Sequence, residues 1–451
     1  MPINAPDCGT PQRRLSVLYV VFLVVGMVVG AGIFKSPALV AQSAGSISTV
    51  YGVWILGGLI SLIGALCYGE LATAYPNPGG DYYFLSKAYG NTVGFLFAWA
   101  RFTIINTGSI ALLGFVIGDY LNLVWELGNH GPAIYALASV VIMTLFNLRG
   151  TNGGIGADYF ITSLEVLGLM TLTIAAVWLV VAGIPPLTSS HGTPPTLAGS
   201  GYAMVFVLLA FGGWSEMATL SAEVKDSDRG MVKALVWAVI AITSIYLMAN
   251  WALLRGLGLE GLAKSTAPAA DLMTRAFGPQ AGLILAIAVA AAAITSINGT
   301  IIVGARTTYA AATQRPLFSW LGVWDAKLGI PKNAIIGQSA ISVALVVLGG
   351  VYDGFATLVD YTAPVYWIFL FGSGLAVIVL RQKLPQQTRP FNVPFYPVLP
   401  ILFSLSSLAM LISSLNYVKI GALFGLAILG IGLIISALSS AKAVQADTLP
   451  T

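Results

Sequence analysis

The sequence predicts an all-α polytopic membrane protein of twelve transmembrane helices. Two five-helix repeats of opposite orientation come first, and helices 11 and 12 follow them. Three observations predict this. Hydrophobic residues make up 57% of the chain and charged residues only 8%, a balance outside the range of soluble domains. Twelve apolar segments follow one another, most of them near or beyond the ~20 residues that cross a hydrocarbon core. The first and the sixth are interrupted at their centres by glycine. They lie five apart, an odd number, and so run in opposite directions across the membrane.

The segments fall at about 17–43, 48–75, 91–123, 131–149, 159–182, 200–223, 233–256, 280–312, 334–350, 355–380, 399–415 and 419–439. The chain therefore divides into a tail (1–14), a first repeat (15–182), a second repeat (200–380), helices 11 and 12 (399–439) and a second tail (440–451). The tail before the first segment ends in Arg13-Arg14, and the apolar run after it is too long for a removable signal peptide. Alternate loops place fifteen of the 21 lysines and arginines on one side and four on the other, with Lys35 and Arg101 inside segments. That bias puts both termini in the cytoplasm of a protein integral to the plasma (cytoplasmic) membrane.

The first segment, VLYVVFLVVGMVVGAGIFKSPALVAQSA (17–44), carries Gly26, Gly30 and Gly32 and then Lys35, Ser36 and Pro37. Gly30-Ala31-Gly32 is a weak helix former, and Pro37 cannot donate to the preceding turn. The prediction is a half-helix, an unwound stretch at 30–33, and a second half-helix with Pro37 in its first turn. Unwound backbone at membrane depth has to be buried in protein or line a cavity. Its free N–H groups suit an anion and its free carbonyls a cation. An amino acid zwitterion presents both. The alternative reading of Gly26-x-x-x-Gly30 is helix packing through small residues. The sixth segment, GYAMVFVLLAFGGWSEMATLSAE (201–223), weakens that alternative. There Gly212-Gly213 is followed by Trp214, Ser215 and Glu216. Paired breaks in two halves point to an inverted-repeat transporter.

Other classes find little support. The net charge of +4 follows topology and carries no nucleic-acid signal. Cys8 and Cys67 imply no disulfide framework, and His130 and His191 fall in loops. No H-E-x-x-H or Cys-x-x-Cys occurs, so neither a metal, a cofactor nor an enzyme is expected. A channel would show a continuous polar pore or charged rings.

Five stretches in order carry a family resemblance: GMVVGAGIFKSP (26–37); Tyr68-Gly69-Glu70-Leu71 with PNPGGDYYFL (76–85); AFGGWSE (210–216) with Ala222-Glu223; SINGTIIVGARTTYAAA (296–312); and LRQKLPQQTRPFNVPFYPVLP (380–400). With them the chain resembles the amino acid–polyamine–organocation superfamily, and within it the L-type amino acid transporter branch. The resemblance implies the leucine-transporter architecture with broken helices 1 and 6. It also implies that Gly30, Ala31, Gly32 and Ile33 hold a substrate carboxylate. Phe211, Gly212, Gly213 and Trp214 would present carbonyls to the amino group and wall one side. Ser215 stands where the family often has asparagine, and Asn298-Gly299 matches the family's Asn-Gly near the site. Asn106, Ser296 and Trp367 are further candidate linings.

Glu165 is the departure, because the L-type pattern usually has a lysine there whose ammonium stands in for a sodium ion. An ionisable residue inside a span is expensive and functional by default. Three roles are open: carrying a coupling proton, binding a cationic substrate group, or pairing with Arg101. Glu216, beside the second break, is a gate or recognition candidate. Glu223 suits a solvated or gate ion pair and Asp81 a cap or gate contact, while nothing in the sequence places Glu70. The loop at 122–132 lacks the cysteine that links animal L-type transporters to a glycoprotein, so no disulfide-linked ancillary subunit is expected. The function expected is a secondary active amino acid transporter working by alternating access on neutral amino acids. Proton symport, exchange, and transport of polyamines or cationic amino acids stay open.

Overall fold

The computed structural model describes residues 16–446 apart from 78, 151–154, 188–193, 195, 221–223, 225–229, 313–318, 326, 353 and 419. Glu223, Cys8 and His191 lie outside the described residues. Among the described residues the named elements are all helical, and an isolated bridge joins Asp325 and Ile330.

Helix α1 (Val17–Val28) starts where the Ser16 hydroxyl accepts the Tyr19 N–H at 3.3 Å, satisfying one orphan donor of the first turn. A short 3₁₀ turn (Ala31–Phe34) separates it from α2 (Ser36–Ala44), which carries Pro37 in its first turn and ends at Gly45 in the left-handed region, φ 71°. α3 (Ile47–Ala74) is capped by Ser46 in the manner of α1. Two helices, α4 (Asp81–Tyr89) and α5 (Asn91–Ala100), follow. α5 runs through a π turn (Arg101–Ile105) into α6 (Asn106–Val124). The predicted third span is thus one helix with a widened turn at its only arginine.

α7 (Gly131–Asn147) and α8 (Ile155–Val181) complete the first group. α9 (Leu197–Ala210) is continued by a 3₁₀ stretch (Trp214–Leu220). α10 (Gly230–Lys264) bends at Gly258, φ 73°, and is joined to α12 (Pro279–Ala312) by the short α11 (Pro268–Phe277). α13 (Lys332–Val351), α14 (Gly354–Lys383), α15 (Val398–Val418) and α16 (Ile420–Ala446) end the chain. Among the described residues eight helices or broken helices are long and apolar enough to cross a membrane, and four shorter apolar ones lie at 17–26, 131–147, 165–181 and 423–437. Each of these twelve overlies one of the apolar segments. The protein is a multi-pass membrane protein, and large apolar side chains such as Leu56, Ile142, Ile284 and Leu405 face outward as a lipid-facing surface requires.

Lipid is as apolar as leucine, so helices associate in it through close packing rather than water exclusion. α3 shows how. Its glycines let α9, α10 and the second break approach: a Cβ on Gly57 would stand 2.4 Å from Val207, one on Gly58 2.5 Å from Thr243, and one on Gly64 2.6 Å from the Trp214 ring and 2.5 Å from Phe403. Those contacts fix where the second break lies relative to α3. Gly64→Val should therefore lower the thermal midpoint of the detergent-purified protein, by an overpacking cost of about 1–3 kcal/mol. Gly52→Ala on the same helix meets nothing within 4 Å and should leave the midpoint unchanged or higher; equal loss in both variants would refute the packing argument.

Candidate functional site

The first break is wider than the glycine pattern predicts. The Val29 N–H still reaches Val25 O at 2.7 Å, and the helix then ends. Gly30 takes up extended backbone (φ −52°, ψ −175°). Beyond it the chain is held by 3₁₀-type bonds from Ile33 N to Gly30 O (3.4 Å) and from Lys35 N to Gly32 O (3.1 Å). Helical bonding is lost from Gly30 to Lys35 because two glycines and a proline within eight residues leave too few good donors and formers to bridge it. At the second break Gly212 N bonds Leu209 O at 2.9 Å, and Gly213 adopts φ 110°. Side chains with a Cβ rarely adopt that conformation, so this glycine is required. The Glu216 N–H then donates to Gly213 O at 3.1 Å, a 3₁₀-type bond.

Each half-helix leaves carbonyls without intrahelical donors. Tyr246 on α10 serves both. Its Oη lies 2.7 Å from Val28 O and 2.9 Å from Ala210 O, the last residues of α1 and α9. One hydroxyl proton therefore ties the two breaks together. The ring is fully buried and packs on Trp54 (centroids 5.3 Å apart) and Phe211 (5.1 Å). On the far side of the first break the Tyr120 hydroxyl donates to Phe34 O at 2.9 Å. Lys35 Nζ reaches Asp119 Oδ2 at 2.6 Å and Thr266 O at 3.0 Å, fastening the start of α2 to α6 and to the approach to α11.

The predicted residues separate into groups. Gly30, Gly32 and Ile33 lie in the first break, where α12 comes close: a Cβ on Gly30 would stand 3.4 Å from Ser296 Oγ. The backbone of Ala31 opens the 3₁₀ turn. Asn298 sits on α12 with its Oδ1 accepting from Asn147 Nδ2 at 2.7 Å, an interhelical bond to α7. Phe211 and Trp214 are both buried. Phe211 packs on Trp54, while Trp214 meets Tyr68 edge-on at 5.1 Å and leans on Phe403. Ser215 is buried on the same turn, beside Tyr366. Trp367 is buried as well.

The charges correct one reading. Arg101 does not pair with Glu165. Its Nη1 reaches Glu216 Oε2 at 2.8 Å and its Nη2 reaches Asn106 Oδ1 at 3.2 Å. The π turn is the reason: an extra residue per turn swings Arg101 toward the second break, where Glu216 is at hand. Glu165 is left 3% exposed, with Oε2 lacking a hydrogen-bond partner among the described residues. It stands within electrostatic reach of Tyr246, and so beside the first break.

Glu70, which the sequence does not place, bonds Arg381 through both oxygens (2.7 and 2.5 Å), lies 3.7 Å from Arg389 and accepts the Val393 N–H at 2.7 Å. Asp81, expected as a cap or gate contact, opens α4 and accepts from Ser373 Oγ at 3.0 Å. Sequence reasoning passed over Tyr246 and the Lys35–Asp119 pair. A lysine inside an apolar segment was a usable signal for the second, whereas nothing marks Tyr246 among eighteen tyrosines.

Two broken, mutually tied helices and several interior carboxylates thus lie together inside a bundle of apolar helices. Residues 15–436 match the amino acid permease family, and the chain belongs to that family. It is 25% identical over 410 residues to the serine/threonine exchanger SteT of Bacillus subtilis (strain 168), covering 90% of this chain and 91% of that one. It is also 25% identical to b(0,+)-type amino acid transporter 1 of Mus musculus (87% of this chain, 81% of the relative). With large neutral amino acids transporter small subunit 2 of Oryctolagus cuniculus the identity is 26% (87% and 74%). The chain is an amino acid permease of the amino acid–polyamine–organocation superfamily.

Tyr246→Phe removes the shared proton and leaves two buried carbonyls unserved, at about 1–3 kcal/mol for a buried group. The thermal midpoint of the purified variant should fall accordingly. A midpoint equal to wild type would mean that the two carbonyls find other donors.

Proposed function

We propose that this permease is a secondary active transporter of amino acids, working by alternating access, with neutral amino acids as the leading substrates. The observation that carries the reading is the pair of breaks joined through Tyr246: backbone polar groups of two half-helices converge at one place inside the bundle. Helix ends of that kind pair with the carboxylate and the ammonium of a zwitterion. The carboxylate falls to Gly30, Ala31, Gly32 and Ile33. The ammonium falls to the carbonyls of Phe211, Gly212 and Gly213, with Trp214, Ser215 and Asn298 completing the surroundings. On this reading the twelve apolar segments are twelve spans in the leucine-transporter architecture, 15–182 and 200–380 are its inverted repeats, and both termini lie in the cytoplasm of a plasma-membrane protein. The chain works without a disulfide-linked partner, since the loop at 122–132 offers no cysteine.

Glu165 is the leading candidate for coupling. It is a buried carboxylate beside the first break with an unserved oxygen, and a proton serves that oxygen as a salt bridge would. Exchange is the second reading, favoured by the relative named as a serine/threonine exchanger.

The test is uptake into proteoliposomes over a panel of labelled neutral and cationic amino acids and polyamines, with and without an inward proton gradient. Wild type should accumulate neutral amino acids down the gradient, and Glu165→Gln should lose accumulation while keeping exchange of internal for external substrate. Gradient-independent uptake in both proteins would remove Glu165 from coupling and leave exchange. Gly32→Leu should reduce substrate binding at least tenfold, a loss of roughly 1.4 kcal/mol or more; unaltered binding would move the site away from the first break.

A further inference from the structure

The Arg101–Glu216 pair forms one wall of a cavity between the second break, α3, α4, α5 and α14. Tyr68, Asp81, Tyr366 and Ser373 face it from the other sides, and the rest of the lining, including Phe97 from α5, is apolar apart from Ser215. The cavity holds two carboxylates and one guanidinium. Glu216 takes the guanidinium at 2.8 Å, and the second guanidinium nitrogen is committed to Asn106. Asp81 receives a neutral hydroxyl, Ser373 Oγ at 3.0 Å, and among the described residues no lysine or arginine lies within ion-pair distance of it.

One more polar atom in the cavity, Arg101 Nε on a side chain only 6% exposed, has no hydrogen-bond partner among the described residues, while the buried Tyr68 hydroxyl stands against Asp81 and favours its charged form. Buried polar groups are normally satisfied, so this cluster is incomplete as it stands.

We propose that Asp81 is a proton-binding site of the permease, separate from Glu165. A proton on Asp81 brings the cavity to zero net charge. It also frees Arg101 from a second carboxylate, leaving the guanidinium to Glu216 at 2.8 Å. A metal ion fits less well, because among the described residues no group of three ligating side chains exists. Burial pushes the Asp81 carboxyl up to about 6, and the neighbouring charge of Glu216 adds to the rise. The Tyr68 and Ser373 hydroxyls and the Arg101 guanidinium oppose it. Tyr366 on α14 is the remaining titratable group on the cavity, while α5 contributes none. Below that pH Asp81 is neutral. Above it, the carboxylate competes with Glu216 for Arg101. Asp81 opens α4, the helix linking α3 to α5, and its partner Ser373 belongs to α14. Its protonation state therefore sets how α4 and the second break are joined to α14. The consequence for transport rests on the reading given above, but the proton site itself does not.

The experiment has two readouts on purified full-length protein. Acid-minus-neutral infrared difference spectra should show a protonated-carboxyl band with a midpoint near 6. The band should be absent in Asp81→Asn, retained in Glu165→Gln, and moved to higher pH in Ser373→Ala, which removes a bond that favours the charged form. Substrate exchange in proteoliposomes at varied cytoplasmic-side pH should show a limb with the same midpoint that Ser373→Ala moves in the same direction. A band and limb unchanged in Asp81→Asn and Ser373→Ala would overturn the proposal. If Asp81→Asn fails to fold, the Ser373→Ala shift alone decides it. If no amino acid is exchanged by any variant, the transporter reading falls, and the spectra still decide the site.

Discussion

A break in a transmembrane helix exposes carbonyls and N–H groups where no water is available to serve them, and most of this structure can be understood as the answer to that constraint. The answer at the core is one hydroxyl. Tyr246 lies between the ends of α1 and α9 and holds a proton between them. Trp54 and Phe211 fix its ring. The glycines of α3 in turn let α9 and α10 come close enough for that contact: Gly57 against Val207 and Phe211, Gly58 against Thr243. Packing through small residues and satisfaction of broken backbone are therefore one arrangement here, because the glycines set the distance across which the tyrosine reaches.

The same constraint explains why the residual charges are interior and local. Glu70 is completely served, by two arginines and the Val393 N–H. Lys35 joins Asp119 and the Thr266 carbonyl. These two clusters tie different elements, the first α3 to α14 and the segment after it, the second α2 to α6 and the approach to α11. Such pairs add little net stability over apolar packing, because desolvation offsets the attraction. Their physical effect is to fix which helix neighbours which. On an alternating-access reading each is a latch that one of the two open states has to break, and breaking either leaves a charge that only water can then serve.

How much of this was legible beforehand varied with the kind of signal. Glycine and proline punctuation marked both breaks, and Pro37 stands in the first turn of α2 as its fixed φ predicts. The apolar segments coincide with the helices because length and composition decide them. Partners were harder. Arg101 and Glu165 are both interior charges, and their pairing was a natural expectation; the π turn, which no local pattern announces, redirected the arginine to Glu216. Tyr246 was invisible for a related reason. A tyrosine in an apolar helix carries no sign of what its hydroxyl meets, and that is decided by two other segments 36 and 218 residues away in sequence. Tertiary hydrogen bonds are not written in local periodicity.

Among the described residues Glu165 and Asp81 have no ion-pair partner, unlike Glu70, Asp119 and Glu216. Glu70, Asp119 and Glu216 each face a fixed cation, and the ion pair is part of the packing. Glu165 has an unserved oxygen beside the first break, and Asp81 has only neutral hydroxyls, those of Ser373 and Tyr68, beside the second. A carboxylate without a cation in an apolar setting lowers its energy by taking a proton, and releases it when a competing charge or water arrives. The two breaks thus each carry an acid that faces no fixed cation among the described residues, while the acids that hold helices together each face one. If the permease couples substrate movement to protons, the division of labour follows from which carboxylates the fold supplied with a cation and which it did not.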